Sequence, residues 1–242
     1  MAEKENISGY FGHRERIRQK YIQTEGNGMA DYEILELLLT YAIPRKDVKP
    51  IAKELIDNFG DINGVISAPM DRLMQIKGIK EVAAVLLKLA KTCAVRGTWE
   101  YLHEKDAPIV SNWDILEDYC RNLMADLDIE EFHIIYLDAK LQLIKEEKIQ
   151  KGTIDMVTVH PREVIKAALA ANAKGIILLH NHPSGNIKPS DQDVFLTDKI
   201  VEAARSIDLF VFDHIVVSKN DVYSMRVHDT TKFYVPKGYE PK

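Results

Sequence analysis

The spacing of apolar residues changes character along the chain. Through roughly the first hundred residues it keeps a helical period. His13 to Thr24 is a basic amphipathic stretch carrying Arg14, Arg16, Arg18 and Lys20. Asp31 is placed to cap a helix containing Ile34, Leu35, Leu37, Leu38 and Leu39, and Pro44 helps to end it. Asp47 can cap the next helix, which runs through Ile51, Leu55 and Ile56 to Phe59, with Gly60 just beyond. Pro69 sits in the first turn of a short helix that ends at Lys77-Gly78. A long helix covers about Glu81 to Arg96, and the segment from Gly97 to Pro108 reads as a linker.

Past the linker one more helix is expected, from about Trp113 to Leu127, and then the period shortens. Phe132 to Leu137 is a strand, Asp138-Ala139-Lys140 a turn, and Leu141 to Ile149 the returning strand. Val157 to Val159 is a short third strand, and His160-Pro161-Arg162-Glu163 opens a helix to about Ala173. Gly175 to His180 reads as a buried strand, Ser190 to Ser206 as a helix, and Leu209 to Val217 with Val222 to Met225 as a final pair. The fold class is therefore α+β: a helical domain with its linker over 1–104, a mixed α/β layer over 105–228, and a tail over 229–242. No internal repeat or low-complexity tract is present.

Composition narrows the class. With 242 residues, 46% of them hydrophobic, the chain can bury a sizeable core. No stretch approaches the roughly 18–20 apolar residues of a membrane span, and the polar start has no signal-peptide core. A cytoplasmic protein without a membrane partner is expected. Cys93 and Cys120 belong to no C-x-x-C pair and read as two buried small hydrophobes. A net charge of −5 is not the footprint of a dedicated nucleic-acid binder. The balance is uneven, with 15 Lys/Arg against 14 Asp/Glu in residues 1–100 and 17 against 23 in the remainder, so any DNA contact falls to the first part.

Candidate chemistry gathers between Gly175 and Asp193. An apolar strand delivers His180 and His182 at i and i+2, on one face, with Asn181 on the other. Pro183 stops the strand. Pro189 and Ser190 then mark a helix start, with Ser190 as N-cap and Asp193 within the first turn. Two histidines, one carboxylate and an open fourth position are the ligand set of a catalytic zinc. By itself Asp193 reads as a capping-box residue and Ser190 as a cap; the upstream histidines turn Asp193 towards a metal. A metal-bound water needs a base. Glu130 and Glu131 precede the first strand of this domain, and on spacing alone such an acidic pair reads as a solvated loop. His214 lies in an apolar strand and reads as a core histidine or one that orients a ligand. His160 receives no catalytic role.

The run His180-x-His182-Pro183, followed by Ser190-x-x-Asp193 with ten residues between His182 and Asp193, resembles the JAMM motif. His180-Asn-His-Pro-Ser-Gly185, Val159-His-Pro-Arg-Glu163, Lys151-Gly-Thr153 and Asp213-His-Ile-Val216 resemble the RadC form of that domain. The resemblance covers residues 108–228 closely and 13–96 more loosely. It implies an MPN/JAB-like mixed sheet of the cytidine-deaminase-like layer type, with Zn²⁺ held by His180, His182 and Asp193. It further implies Glu130 as general base, Glu131 as fallback, and Ser190 as an oxyanion helper. Relatives with such a centre cleave peptide or isopeptide bonds, so a peptide or protein substrate is expected.

The N-terminal part resembles the helical domain that precedes this one in RadC proteins, and Leu73 to Lys80 resembles a helix-hairpin-helix turn. Lys77, Gly78 and Lys80 are its candidate DNA contacts, although Lys80 stands where a second glycine is expected. The alternative for this segment is a packing or partner module. For the whole chain, a zinc hydrolase competes with a DNA-repair-associated binding protein whose metal domain is non-catalytic. A nucleobase deaminase requires H-x-E with P-C-x-x-C, and a helix-borne zincin requires H-E-x-x-H; the chain has neither pattern.

Overall fold

In the computed structural model, which describes residues 2–104, 108–151, 159–219, 221–228 and 232–233, the N-terminal apolar periods fold as helices. They are α1 (Ala2–Thr24), α2 (Asp31–Ala42), α3 (Lys49–Phe59), α4 (Ile62–Ser67), α5 (Met70–Gln75) and α6 (Glu81–Glu104). The chain divides into the compact units Met1–Cys93 and Ala94–Lys242, and the division falls inside α6.

The first unit is built around Leu35, Leu39, Ile51, Leu55, Val65, Leu73 and Leu87, one apolar stripe from each of α2 to α6. Part of the basic face of α1 is spent inside this unit, while Arg16 and Arg18 stay exposed. Arg14 donates to the carbonyls of Thr40, Ile43 and Lys46 at 2.7–3.2 Å, closing the end of α2. His13 meets the buried Glu36 at 2.6 Å, and Lys20 binds Glu33 at 2.7 Å. Asp31 is not the cap of α2 but its first residue. The cap position is Ala30, whose N–H goes to Glu33, while Asp31 accepts the N–H of Ile62 at 2.9 Å. Helix α4 was not expected; Asp61 caps it by accepting from Gly64 at 2.7 Å.

Two sequence expectations need correcting in and after α6. Gly97 does not begin a linker, since the helix continues to Glu104. Val95, Trp99 and Leu102 pack into the core of the second unit, and that burial outweighs the weak helix propensity of glycine. Cys93, expected to be buried, is exposed, whereas Cys120 is fully buried.

In the second unit a 3-10 turn (Ile109–Asn112) leads into α7 (Trp113–Met124). The sheet comprises β1 (Glu131–Leu137), β2 (Leu143–Lys151), β3 (Gly175–Asn181), β4 (Phe210–Val217) and β5 (Val222–Ser224), with α8 (Pro161–Ala170), α9 (Asp191–Arg205) and α10 (Met225–His228). Strand order is β2-β1-β3-β4-β5. β3 and β4 are parallel, joined through α9, and the other neighbours are antiparallel, so the sheet is mixed. β2 starts later than expected because Leu141 takes a left-handed backbone (φ 61°) in the hairpin loop. The expected strand Val157–Val159 lies outside the described residues except for Val159, and Gly152 and Thr153 lie outside them too.

Strand alternation sorts the side chains into two cores. Ile134, Tyr136, Ile176 and Leu178 face α8 and α9, while Ile135, Leu137, Ile177 and Leu179 face α7. β1 and β3 are buried along their whole length, as strands covered on both faces must be. Among the described residues no helix is long and apolar enough to cross a membrane.

Candidate metal centre

His180 ends the buried run of β3 on the face towards α9, and His182 follows it with the same sense. Their Nε2 atoms are 2.9 Å apart. Asp193, in the first turn of α9, brings Oδ1 to 3.3 Å from His180 Nε2 and Oδ2 to 3.4 Å from His182 Nε2. One ligand atom from each residue lies within 4.8 Å of the others, and among the described residues this is the one group of that kind.

The protons around these atoms follow from what each partner can do. Thr197 Oγ1 donates to the carbonyl of Asp193 at 2.6 Å, so it accepts from His214 Nδ1, also at 2.6 Å. His214 is fully buried, and burial, with the neighbouring His180, pushes its pKa well below the ordinary value. The neutral ring therefore keeps a bare Nε2, which accepts from His180 Nδ1 at 2.8 Å. In the neutral form of its own ring, His180 then has a lone pair at Nε2. His182 Nδ1 donates to the carbonyl of Asn186 at 2.6 Å, so its neutral ring has a lone pair at Nε2 as well. Two lone pairs and a carboxylate thus converge, an arrangement that repels itself unless a proton or a cation lies between them. Burial opposes charge on His182, yet Asp193, the Asn186 carbonyl and Glu130 together raise its pKa. Burial likewise opposes the Asp193 carboxylate, but when a proton rather than a cation lies between it and the two histidines, that proton and the Ser190 hydroxyl hold its pKa far below the usual range. The donor set fits a divalent metal with nitrogen and oxygen ligands.

Asp193 serves the helix and the cluster together. Ser190 N–H donates to Asp193 Oδ2 at 2.7 Å, and the Asp193 N–H returns to Ser190 Oγ at 3.2 Å, a reciprocal cap. The cap and the ligand readings of Asp193 are compatible in one geometry. Ser190 Oγ also donates to Asp193 Oδ2 at 2.6 Å, so its proton is engaged within the cap.

Glu130 and Glu131 go separate ways. Phe132 of β1 pairs opposite His180 of β3, so the entry to β1 lies beside the exit of β3. Glu130 lines a cleft of about 720 Å³ together with His182, Ser190 and Asp193. Glu131 faces α7 with His133, which it meets at 3.1 Å, and Lys148 reaches it at 3.4 Å. His133 also contacts Glu146. The structure brings His182, Asp193, Ser190 and Glu130 to one cleft, with His180 buried against His182 and Asp193, and leaves Glu131 out of it. His160, given no role from sequence, is a cleft residue, as are Pro161, Lys188, Phe195 and Lys199. From sequence Thr197 has no assigned role and Asn181 only a place on the opposite strand face. The signal for Asn181 was its place between the two histidines, but what it does depends on strand pairing.

Lys77, Gly78 and Lys80 occupy the turn between α5 and α6 in the first unit. The turn closes by Ile79 N–H to Ile76 O at 3.0 Å, and Gly78 has φ +106°. A Cβ on Gly78 would stand 2.8 Å from Ile51 Cδ1 and 3.0 Å from Lys46 Nζ, so glycine is needed there for conformation and for space.

Comparisons with known proteins agree with this architecture. Residues 110–230 match the model of the RadC-like JAB domain, and residues 11–85 match that of the UPF0758 N-terminal domain. A UPF0758 protein of Ruegeria pomeroyi is 42% identical over 214 residues, covering 88% of this chain and 95% of that protein. One from Fusobacterium nucleatum is 42% identical over 229 residues, covering 93% and 97%. A third, from Rhodobacter capsulatus, is 40% identical over 210 residues, covering 87% and 97%. With half of its length matched by the RadC-like model and most of it by these relatives, the chain belongs to the RadC family, as a UPF0758-type protein whose second part is a JAB domain of the JAMM/MPN type.

Proposed function

We propose that the protein is a zinc-dependent hydrolase of the JAMM/MPN type that cleaves a peptide or isopeptide bond. The observation that carries this reading is the pair of Nε2 atoms, each ring oriented by an acceptor at its Nδ1, converging on Asp193 beside a cleft that Glu130, His182 and Asp193 line. His180, His182 and Asp193 would hold the ion. When bound there, zinc supplies a Lewis acid and lowers the pKa of a water to about 7. Glu130 is the base that takes the proton and later delivers it to the departing amine. Ser190 is the donor to the developing oxyanion, a role that requires its hydroxyl to turn from Asp193 into the cleft. Glu131, held by His133 and Lys148, is not the base in this scheme.

Metal analysis and hydrolysis test the two halves of the reading. The purified wild-type protein is expected to carry one zinc per chain and His182→Ala none; no zinc in either sinks the site. Glu130→Gln should keep its zinc and lose about 10²–10⁴-fold in kcat on a peptide panel. Cleavage that survives this change would remove Glu130 from the mechanism.

A second reading is favoured by the turn around Gly78. Its backbone N–H groups and Lys77 and Lys80 form a candidate contact for a DNA phosphate, with Lys46 beside the glycine. DNA would then be a partner of the first unit, alongside or in place of a hydrolytic role of the second.

A further inference from the structure

Asn181 stands between the two histidines but points to the opposite face of β3. It is 2% exposed, and its amide is used three times. Oδ1 accepts the N–H of Glu131 at 2.8 Å. Nδ2 donates to the carbonyl of Ile129 at 3.1 Å and that of Leu127 at 3.4 Å. Backbone N–H groups only donate and carbonyls only accept, so the orientation of this amide is dictated by its partners. The three bonds bracket Glu130 on both sides. They fall on the segment that joins α7 to β1, just before the β1–β3 ladder begins at Phe132 and His180.

We propose that Asn181 is a positioning residue: it fixes the backbone on either side of Glu130, so that one strand and its exit set the two histidine ligands with one face and the base with the other. This rests on the hydrolase reading for Glu130. An amide is suited to the task because it offers an acceptor to Glu131 and donors to two carbonyls from a single buried side chain. An aspartate would keep the acceptor but turn an oxygen towards the Leu127 and Ile129 carbonyls. An alanine would leave those carbonyls and the Glu131 N–H without this partner.

The test uses the full chain with Asn181→Ala and Asn181→Asp. Both variants are expected to retain one zinc per chain, since neither change touches a ligand. On the peptide panel kcat should fall by about 10²-fold, the scale of a small misplacement, with KM within about twofold. Adding Asn181→Ala to Glu130→Gln should cause no further fall. Losses that multiply in the double variant, or a kcat that does not change, would overturn the proposal. Protein loaded with Co²⁺ gives a readout independent of turnover. The paramagnetic shift of the Glu130 amide should move in both Asn181 variants while that of the Thr197 amide stays. If the wild type cleaves no peptide but this selective shift appears, the hydrolase reading fails and the positioning role stands. If the Glu130 shift is unchanged, the positioning role fails whatever the activity.

Discussion

A single proton position decides how His180 can act. The line from the Asp193 carbonyl through Thr197 and His214 leaves His180 Nε2 bare, and no residue in it beyond Asp193 is itself a candidate ligand. Thr197→Val removes the acceptor behind His214 and frees that ring to take the other tautomer. Zinc affinity is expected to drop about 10–100-fold, measured by competition with a chelator; an unchanged affinity would show that the tautomer is set elsewhere. Asp213, the neighbour of His214, reports on stability. Burial raises its pKa to about 6, with hydrogen bonds from Ser224, the Arg226 N–H and the His214 N–H, and the Arg226 charge, acting against it. A carboxyl raised in the folded state stabilises most below its unfolded value of 3.8, and that contribution is lost as pH rises through about 6. The change is roughly 3 kcal/mol at about 1.4 kcal/mol per pKa unit. Urea denaturation between pH 4 and about 7 should show this loss in the wild type and not in Asp213→Asn, measured on metal-free protein.

Elements impose constraints that their residues do not reveal singly. The α5–α6 turn needs Gly78 for its φ of +106° and for the space beside Ile51. Gly78→Ala is expected to destabilise the first unit by about 1–3 kcal/mol, read from its unfolding transition, without changing zinc content. A neutral effect would mean that the turn adopts another backbone. The pairing of β1 with β3 acts at the same scale. It sets Phe132 opposite His180, and the step from Glu130 to Glu131 then crosses from the cleft side to the α7 side. From sequence the two glutamates were separated only by resemblance to relatives; strand register supplies a physical distinction between them. The same packing logic explains the misread linker. Gly97 signalled a break, but Trp99 and Leu102 have a core to enter, and Trp99 lies 5.0 Å from Tyr119.

For the whole molecule the question is whether two compact units carry two activities. Lys77→Glu with Lys80→Glu should abolish salt-dependent DNA binding and leave zinc content and peptide hydrolysis unchanged, if the turn is a phosphate contact. Binding that persists would assign the turn to packing. Of the described basic residues on helix α1, only Arg16 and Arg18 remain exposed. Arg14 is consumed by three carbonyls, and His13 and Lys20 by glutamates of α2.

The sequence by itself determined whatever has a short period. Helical spacing placed α2, α3, α5 and α6, strand alternation set His180 and His182 on one face, and the cap signal put Asp193 in the first turn of α9. These are local because backbone geometry fixes them within a few residues. Tertiary structure alone decided which side chains meet across long separations. The Thr197–His214–His180 line needs α9 and β4 to pack beside β3. The arrival of Glu130 at the cleft needs the antiparallel β1–β3 register, and the grip of Asn181 on either side of it needs that register too. Chain spacing carries no information about such pairings, because only the burial of both sheet faces selects one register over its neighbours.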